Sequence, residues 1–208
     1  MSSRESRRAS APVTLGITGA SGAPYAVRLL RWLNEAGVPV RLIISAYGLR
    51  LLAEEAGIDG VSGLRAATGD WSRVELFESG DRGATPASGS APSRGMVICP
   101  CSMGTLGSIA AGTSRNLIER AADVALKERT PLILVPRETP LSLIHLENMV
   151  RLTRAGATIL PASPGFYHHP QSIEDLVDFV ALRVLDHLGV DVDGPRWSSG
   201  GASAFEES

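Results

Sequence analysis

Short apolar runs alternate along the chain with longer segments in which apolar residues recur at helical spacing. The runs are rich in β-branched residues and lie at 13–17, 38–44, 74–77, 96–99, 132–135 and 157–160. Helical periodicity occupies residues 25–36, 47–56, 114–127, 142–155 and 172–188. Strands that are covered on both faces have nearly continuous apolar runs, and strand–helix alternation gives parallel βαβ units. The pattern therefore predicts a three-layer α/β fold with a doubly wound, mostly parallel sheet.

The predicted fold is Rossmann-like or flavodoxin-like and forms a single domain. A length of 208 residues suits one domain with a substantial core. We place that domain at 12–189, because residues 1–11 and 190–208 are rich in Ser, Gly, Arg and Asp and are expected to be flexible tails. A Gly-, Pro- and Ser-rich loop at 81–95 is long enough to indicate a functional role.

Composition excludes several classes of partner. A net charge of −2 gives no reason to expect nucleic acid or an anionic membrane, and no apolar run is long enough for a membrane span. Cys99 and Cys101 have neither redox nor zinc spacing, so we expect reduced thiols in a cytoplasmic protein. The adjacent His168 and His169 have no acidic residues at ligand spacing, and no metal site is predicted.

One basic residue stands apart from all the others. The chain has 20 basic side chains, and the only lysine among them is Lys127. Lysine is a compact point charge suited to a phosphate oxygen, whereas arginine is a rigid planar fork. Lys127 is therefore a candidate phosphate ligand, although a surface lysine left over from a coding bias towards arginine explains the composition as well.

Small polar residues follow the predicted strands, at the edge where doubly wound folds bind ligands. The first strand is followed by a glycine-rich turn at 19–22, the second by Ser45, the fourth by the segment 102–105, and the fifth by Arg137 and Glu138. The glycine spacing is not that of a dinucleotide site, and there is no Walker lysine. Two clusters of hydroxyl and N–H donors suit a phosphate and a polar ring system, although tight turns and helix caps also use these residues.

Taken together, the motifs resemble those of the UbiX flavin prenyltransferases over residues 12–187. The matching segments are GASG at 19–22, PASGS at 86–90, VICPCS at 97–102, NLIERAADVALKER at 116–129, VPRE at 135–138, HLENM at 145–149 and PGFY at 164–167. The resemblance implies a metal-independent transferase that joins the dimethylallyl group of dimethylallyl phosphate to N5 and C6 of reduced FMN. The product would be prenylated FMN for UbiD-type decarboxylases. The resemblance also implies a homo-oligomer, a dodecamer, with sites at subunit junctions.

The resemblance assigns roles to residues of this chain. FMN is expected to contact Gly19, Ala20, Ser21, Ser45, Ser102, Met103, Gly104, Thr105 and Arg137. The prenyl phosphate is expected to contact Lys127, Tyr167 and Arg183. The catalytic residues are expected to be Ser21, Glu55, Arg120, Lys127 and Glu138, with Ser21 close to the flavin N5 and Glu55 reaching a neighbouring subunit's site.

One position departs from the family pattern, and two other functions stay open. Arg82 stands where the family carries an aromatic residue that stacks on the prenyl group, and Trp197 is a candidate replacement for that wall. One alternative function is an FMN-dependent decarboxylase of the same fold. The other is a non-catalytic FMN carrier, which would need the FMN contacts but not Lys127, Arg183 and Glu138 together.

Overall fold

A computed structural model describes residues 10–192. Its strands are β1 (Val13–Ile17), β2 (Val40–Ile44), β3 (Val74–Glu78), β4 (Gly95–Cys101), β5 (Leu132–Pro136) and β6 (Thr158–Ile159). Its helices are α1 (Ala23–Glu35), α2 (Ala46–Ala56), α3 (Gly60–Thr68), α4 (Met103–Ala110), α5 (Leu117–Lys127), α6 (Leu143–Ala155) and α7 (Ile173–Leu188). The strands form one sheet of order β3-β2-β1-β4-β5-β6 in which every pair is parallel. The predicted doubly wound α/β fold is confirmed.

The inner strands β1, β4 and β5 are buried on both faces, as their apolar runs predict, whereas the edge strand β3 is largely exposed. Val13, Leu15 and Ile17 of β1 pack with α1, α2 and α7 on one side. On the other side, Ile98 of β4 packs with α4, α5 and α6. Gly16 faces that second side, where an added Cβ would lie 3.2 Å from Cγ2 of Ile118. The central strand therefore has no solvated face, and this explains why its sequence does not alternate.

Side-chain caps set where most helices begin. Each cap residue accepts a hydrogen bond from a backbone N–H of the first turn, and the residues are Ser45, Ser102, Asn116, Ser142 and Ser172. The prediction that a helix spans residues 114–127 was wrong at its start, because Asn116 caps α5 and the first helical residue is Leu117. Small polar side chains compete for backbone hydrogen bonds outside a helix, so they are favoured as caps.

Two helices were not predicted. α3 contains two glycines and two large apolar residues, of which Leu64 is fully buried against the core. α4 lies in the small-residue segment after β4, and its buried residues are Leu106, Ser108 and Ile109. Glycines lower the intrinsic helix propensity of both segments, so their helical structure depends on tertiary packing.

α5 runs antiparallel to the strands. It extends from the side of the sheet where the strands end, the carboxyl edge, to the side where they begin, the amino edge. Its first residue, Leu117, donates its N–H to the carbonyl of Ser79, directly after β3 (2.8 Å). Beyond its last turn, the carbonyl of Pro131 accepts from the N–H of Met96 at the start of β4 (2.8 Å). α5 therefore begins at the carboxyl edge of the sheet and ends at the amino edge, and Lys127 lies at that far end.

Candidate functional site

Thr18 joins the ends of the two central strands. Its hydroxyl donates to the carbonyl of Pro100 (2.8 Å) and accepts from the N–H of Ser102 (2.9 Å). The side chain is buried, so these hydrogen bonds are shielded from water. β1 and β4 flank the point where the strand order reverses, which is where open α/β sheets bind ligands. Thr18 holds the predicted FMN turns at 19–22 and 102–105 side by side.

Gly19 allows α2 to approach that turn closely. A Cβ at Gly19 would lie 2.4 Å from Cβ of Tyr47, and a Cβ at Gly48 would lie 2.7 Å from the carbonyl oxygen of Ile17. The hydroxyl of Ser45 accepts from the N–H of Gly48 (3.0 Å). The first turn of α2 therefore lies against the backbone of the glycine-rich loop, and Ser45 is a helix cap at the site edge, as its position predicts.

Ser102 and Thr105 form the start of α4. The Ser102 hydroxyl accepts from the N–H of Thr105 (3.2 Å) and donates to the Thr105 hydroxyl (3.0 Å). The N–H groups of a helix's first turn have no partner within the helix, and the helix dipole favours an anion there. Met103 and Gly104 occupy that turn. This end of α4 has the donors that a phosphate or a polar ring edge requires.

Glu55 binds the glycine-rich loop of its own chain. Its carboxylate accepts from the N–H groups of Gly22 (2.7 Å) and Ala23 (2.9 Å), so it caps α1, whose N-cap residue is a glycine. Burial raises the pKa of Glu55, but these two hydrogen bonds, the Ser21 hydroxyl and the charge of Arg137 outweigh it and lower the pKa overall. Glu55 is therefore held as an anion next to Ser21.

Arg137 completes the group at the carboxyl edge. It follows β5 directly, and its Nε donates to the carbonyl of Ser21 (3.1 Å). Tyr25 of α1 lies nearby and was not predicted as a site residue. Burial is the main cause that raises the pKa of Tyr25, Cys99 adds to it, and the charge of Arg137 opposes it. An aromatic residue in the first turn after a glycine-rich loop was the only sequence signal for Tyr25.

Lys127, the predicted phosphate ligand on α5, lies away from this group, whereas Arg120 lies in the first turn of α5 near the carboxyl edge. Arg120 forms an ion pair with Asp123 (3.2 Å), and Lys127 forms one with Glu128 (3.7 Å). β5 separates the end of α5 from Arg137 and is about 13 Å long at the usual rise per residue. One chain therefore does not bring Lys127 to the predicted FMN contacts.

The other residues given a role from the sequence lie before and within α7, after β5 and in the loop after β3. Tyr167 contacts Phe179 edge-on, with ring centroids 5.6 Å apart. Arg183 lies one turn further along α7 and forms an ion pair with Asp186 (3.1 Å). Glu138 is exposed, and its carboxylate accepts from the N–H of Thr139 (3.0 Å). Arg82 is exposed as well and donates to the carbonyl of Ser114 (3.5 Å), whereas Trp197 lies outside the described residues.

The cysteines are poor nucleophiles. Both are buried and unpaired, burial raises the pKa of Cys99 to about 12, and it raises the pKa of Cys101 further. Within residues 10–192, no group of three or more His, Cys, Asp or Glu side chains could hold a metal ion. In the same residues no helix combines the length and apolar character that crossing a membrane requires.

Comparison with known proteins places this geometry in context. The model of the family described as Flavoprotein matches residues 1–185. The flavin prenyltransferase UbiX of Pseudomonas aeruginosa is 50% identical over 194 residues, covering 89% of this chain and 93% of that protein. The crystal structure of AnUbiX (PadA1) in complex with FMN and dimethylallyl pyrophosphate has a TM-score of 0.82 and 38% identity, covering 90% of this chain and 99% of that one. A dodecameric FMN-dependent UbiX-like decarboxylase from Escherichia coli O157:H7 has a TM-score of 0.83 and 41% identity over 90% and 99% of the two chains.

Proposed function

The chain belongs to the flavoprotein family and within it to the UbiX flavin prenyltransferases, and from this premise we propose the reaction that it catalyses. It transfers the dimethylallyl group of dimethylallyl phosphate to N5 and C6 of reduced FMN. The observation that carries the proposal is the joining of the glycine-rich loop, the start of α4 and Arg137 at the switch point, through Thr18 and Ser21. A second group of cations, Arg120, Lys127 and Arg183, lies on α5 and α7.

The residues at the carboxyl edge fit FMN. Gly19 and Gly48 let the first turn of α2 pack directly against the glycine-rich loop, so the Ser45 cap lies beside that loop. The first turn of α4 and Arg137 supply N–H donors for anionic oxygens. FMN would be held by the loop 19–21, Ser45, the segment 102–105 and Arg137. When bound in its reduced form it supplies the nucleophilic N5 and C6.

The cations would stabilise the leaving phosphate. Breaking the allylic C–O bond places charge on the phosphate, and preplaced cations lower the energy of that transition state. We assign this role to Lys127, Arg120 and Arg183, with the Tyr167 hydroxyl as a further donor. Ser21, held by Glu55, would orient the acceptor nitrogen, and Glu138 would help the released phosphate to accept the proton lost from C6.

We propose that a complete site requires more than one copy of the chain. Lys127 lies at the amino edge of the sheet and the FMN contacts lie at the carboxyl edge, so both sets reach one ligand only if different copies supply them. Large apolar side chains that are mostly exposed fit such an assembly, and they include Tyr47, Leu143, Ile144, Phe166 and Ile173. The dodecameric relative supports twelve copies as the assembly.

Two further parts of the proposal concern the surroundings of the enzyme. A UbiD-type decarboxylase is the proposed acceptor of prenylated FMN, on the strength of the family relationship. A cytoplasmic location is proposed because both cysteines are unpaired.

The test is an anaerobic incubation of the protein with reduced FMN and dimethylallyl phosphate, followed by mass and absorption spectra of the flavin. We expect a flavin heavier by one C5H8 unit together with free phosphate. Lys127→Arg should bind FMN normally but transfer the prenyl group at least about tenfold more slowly, because a planar fork replaces a point charge. An unmodified flavin with the wild-type protein would contradict the proposal and leave the carrier or the decarboxylase. Equal rates for Lys127→Arg and wild type would show that Lys127 is a surface lysine with no role in binding the phosphate.

A further inference from the structure

Each cation proposed to bind the prenyl phosphate has a carboxylate partner in its own chain. Arg120 pairs with Asp123 (3.2 Å), Lys127 with Glu128 (3.7 Å) and Arg183 with Asp186 (3.1 Å). A site built only to attract anions would omit these carboxylates, because each one cancels a positive charge. Each carboxylate therefore lowers the net positive charge that a bound anion would meet.

Of the three carboxylates, Asp123 is the one placed to act on two of the proposed phosphate ligands at once. Residues 120, 123 and 127 share one face of α5, since side chains three and four positions apart are neighbours on a helix. Asp123 therefore lies between Arg120 and Lys127. Its side chain is 42% exposed and that of Arg120 is 41% exposed, so water only partly screens their charges.

We propose that Asp123 is a specificity-determining residue that limits this site to ligands with a single phosphate. The inference rests on the proposed function, because it takes Arg120 and Lys127 as phosphate ligands. A carboxylate between two cations repels a bound anion, and that repulsion grows with the charge of the anion. A diphosphate carries more negative charge than a monophosphate, so Asp123 weakens diphosphate binding more.

The expected change in the ratio of diphosphate to phosphate binding follows from the single charge of Asp123 acting on the anion over a few ångströms near the protein surface. Removing the Asp123 charge should tighten diphosphate binding relative to phosphate binding by about threefold to tenfold at low salt, and by less as salt screens the site. Asp123 is half-exposed, and its contribution to the fold is one ion pair with the half-exposed Arg120, so Asp123→Asn should fold normally.

The experiment measures binding of inorganic phosphate and inorganic diphosphate to the full chain by calorimetry, for wild type, Asp123→Asn and Asp123→Glu. The matched control is Glu54→Gln, which breaks the exposed Arg50–Glu54 pair on α2. The same variants are then assayed for turnover of dimethylallyl phosphate and dimethylallyl diphosphate. Asp123→Asn should shift the ratio towards diphosphate in both assays, whereas Asp123→Glu and Glu54→Gln should keep the wild-type ratio.

The outcomes separate this inference from the proposed function. Wild-type turnover with an unchanged ratio in Asp123→Asn overturns the inference alone. A ratio that shifts in the binding assay when no variant modifies FMN supports the inference and overturns the proposed function. Weaker binding of both anions by Asp123→Asn also overturns the inference, because Asp123 would then serve only to hold Arg120 in place.

Discussion

Glu55 shows how a single side chain can serve both the fold and the site. α1 begins after a glycine, which offers no side chain to cap it, and the carboxylate of Glu55 takes that role from α2. The same carboxylate holds the loop that carries Ser21. An anion at the positive end of a helix dipole is stabilised there, so the ionised form of Glu55 is the one that supports the folded chain.

This gives a prediction with a defined pH dependence. The pKa of Glu55 is lowered in the folded chain, so its contribution is present above its unfolded value and is lost as the pH falls through the folded value. Glu55→Gln should reduce the free energy of unfolding by about 0.5–1 kcal/mol at pH 7, a modest value because the side chain is exposed. Urea unfolding of wild type and variant should give a difference that is full at pH 7 and shrinks as the pH falls below the ordinary glutamate pKa.

Glu54→Gln is the control for that measurement. Glu54 precedes Glu55 on α2 but pairs only with the exposed Arg50 in a surface ion pair, which contributes little to stability. A difference for Glu55→Gln that does not change between pH 7 and low pH would contradict the assigned cap.

At the level of single residues, the sequence predicted which positions belong to the site but not which side chains contact each other. Ser45 and Ser102 were selected because they follow strands, and both indeed start helices at the carboxyl edge. Lys127 was selected because it is the only lysine, yet nothing in the sequence indicates that Glu128 lies within 3.7 Å of it. Contacts between side chains depend on rotamers and packing, which a pattern of residue types does not specify.

The connection between β1 and β4 is the element on which the site depends. Thr18 Oγ1 makes two hydrogen bonds across it, to Pro100 and Ser102. Removing the hydroxyl takes this acceptor from the part-buried Ser102 N–H and leaves the Pro100 carbonyl with the longer hydrogen bond from the Thr18 N–H (3.3 Å), which costs more than the bonds themselves. The two FMN turns would then lose their common anchor.

Thr18→Val should therefore lower the free energy of unfolding by about 2 kcal/mol and raise the dissociation constant for FMN about tenfold. Chemical denaturation and flavin fluorescence titration measure the two effects. Thr14→Val is the control, because Thr14 is a buried threonine of β1 that lies at the opposite end of that strand from Thr18. If Thr14→Val and Thr18→Val weakened FMN binding equally, the anchor role would be wrong.

At the level of elements, strongly patterned segments were predicted well and weakly patterned ones were not. All six strands were identified, because their apolar runs are bounded by turn residues. α3 was missed because glycines interrupt its pattern, although burial of Leu64 stabilises it. The outcome depends on tertiary packing, which a local window of sequence does not contain.

In the whole molecule, the predicted FMN contacts and Lys127 lie at opposite edges of the sheet, although the proposed reaction requires both. The predicted FMN contacts occupy the carboxyl edge of the sheet, and α5 carries Lys127 to the amino edge. The motifs identified both sets, but the distance between them follows only from the direction of α5 and the length of β5. If both sets serve one reaction, subunits must share them, and heterologous interfaces in a closed assembly do so.

Mixing inactive variants tests this sharing directly. Lys127→Ala and Arg137→Ala chains, each strongly impaired alone, should regain up to about a quarter of wild-type activity when they are co-assembled in equal amounts, because random association gives that share of intact sites. The control mixes Lys127→Ala with Arg120→Ala. Both residues belong to α5 of one chain, so no mixed site regains both side chains. Anaerobic prenyl transfer measures the recovery, and equal recovery in both mixtures, or none in either, would contradict a site shared between the two edges.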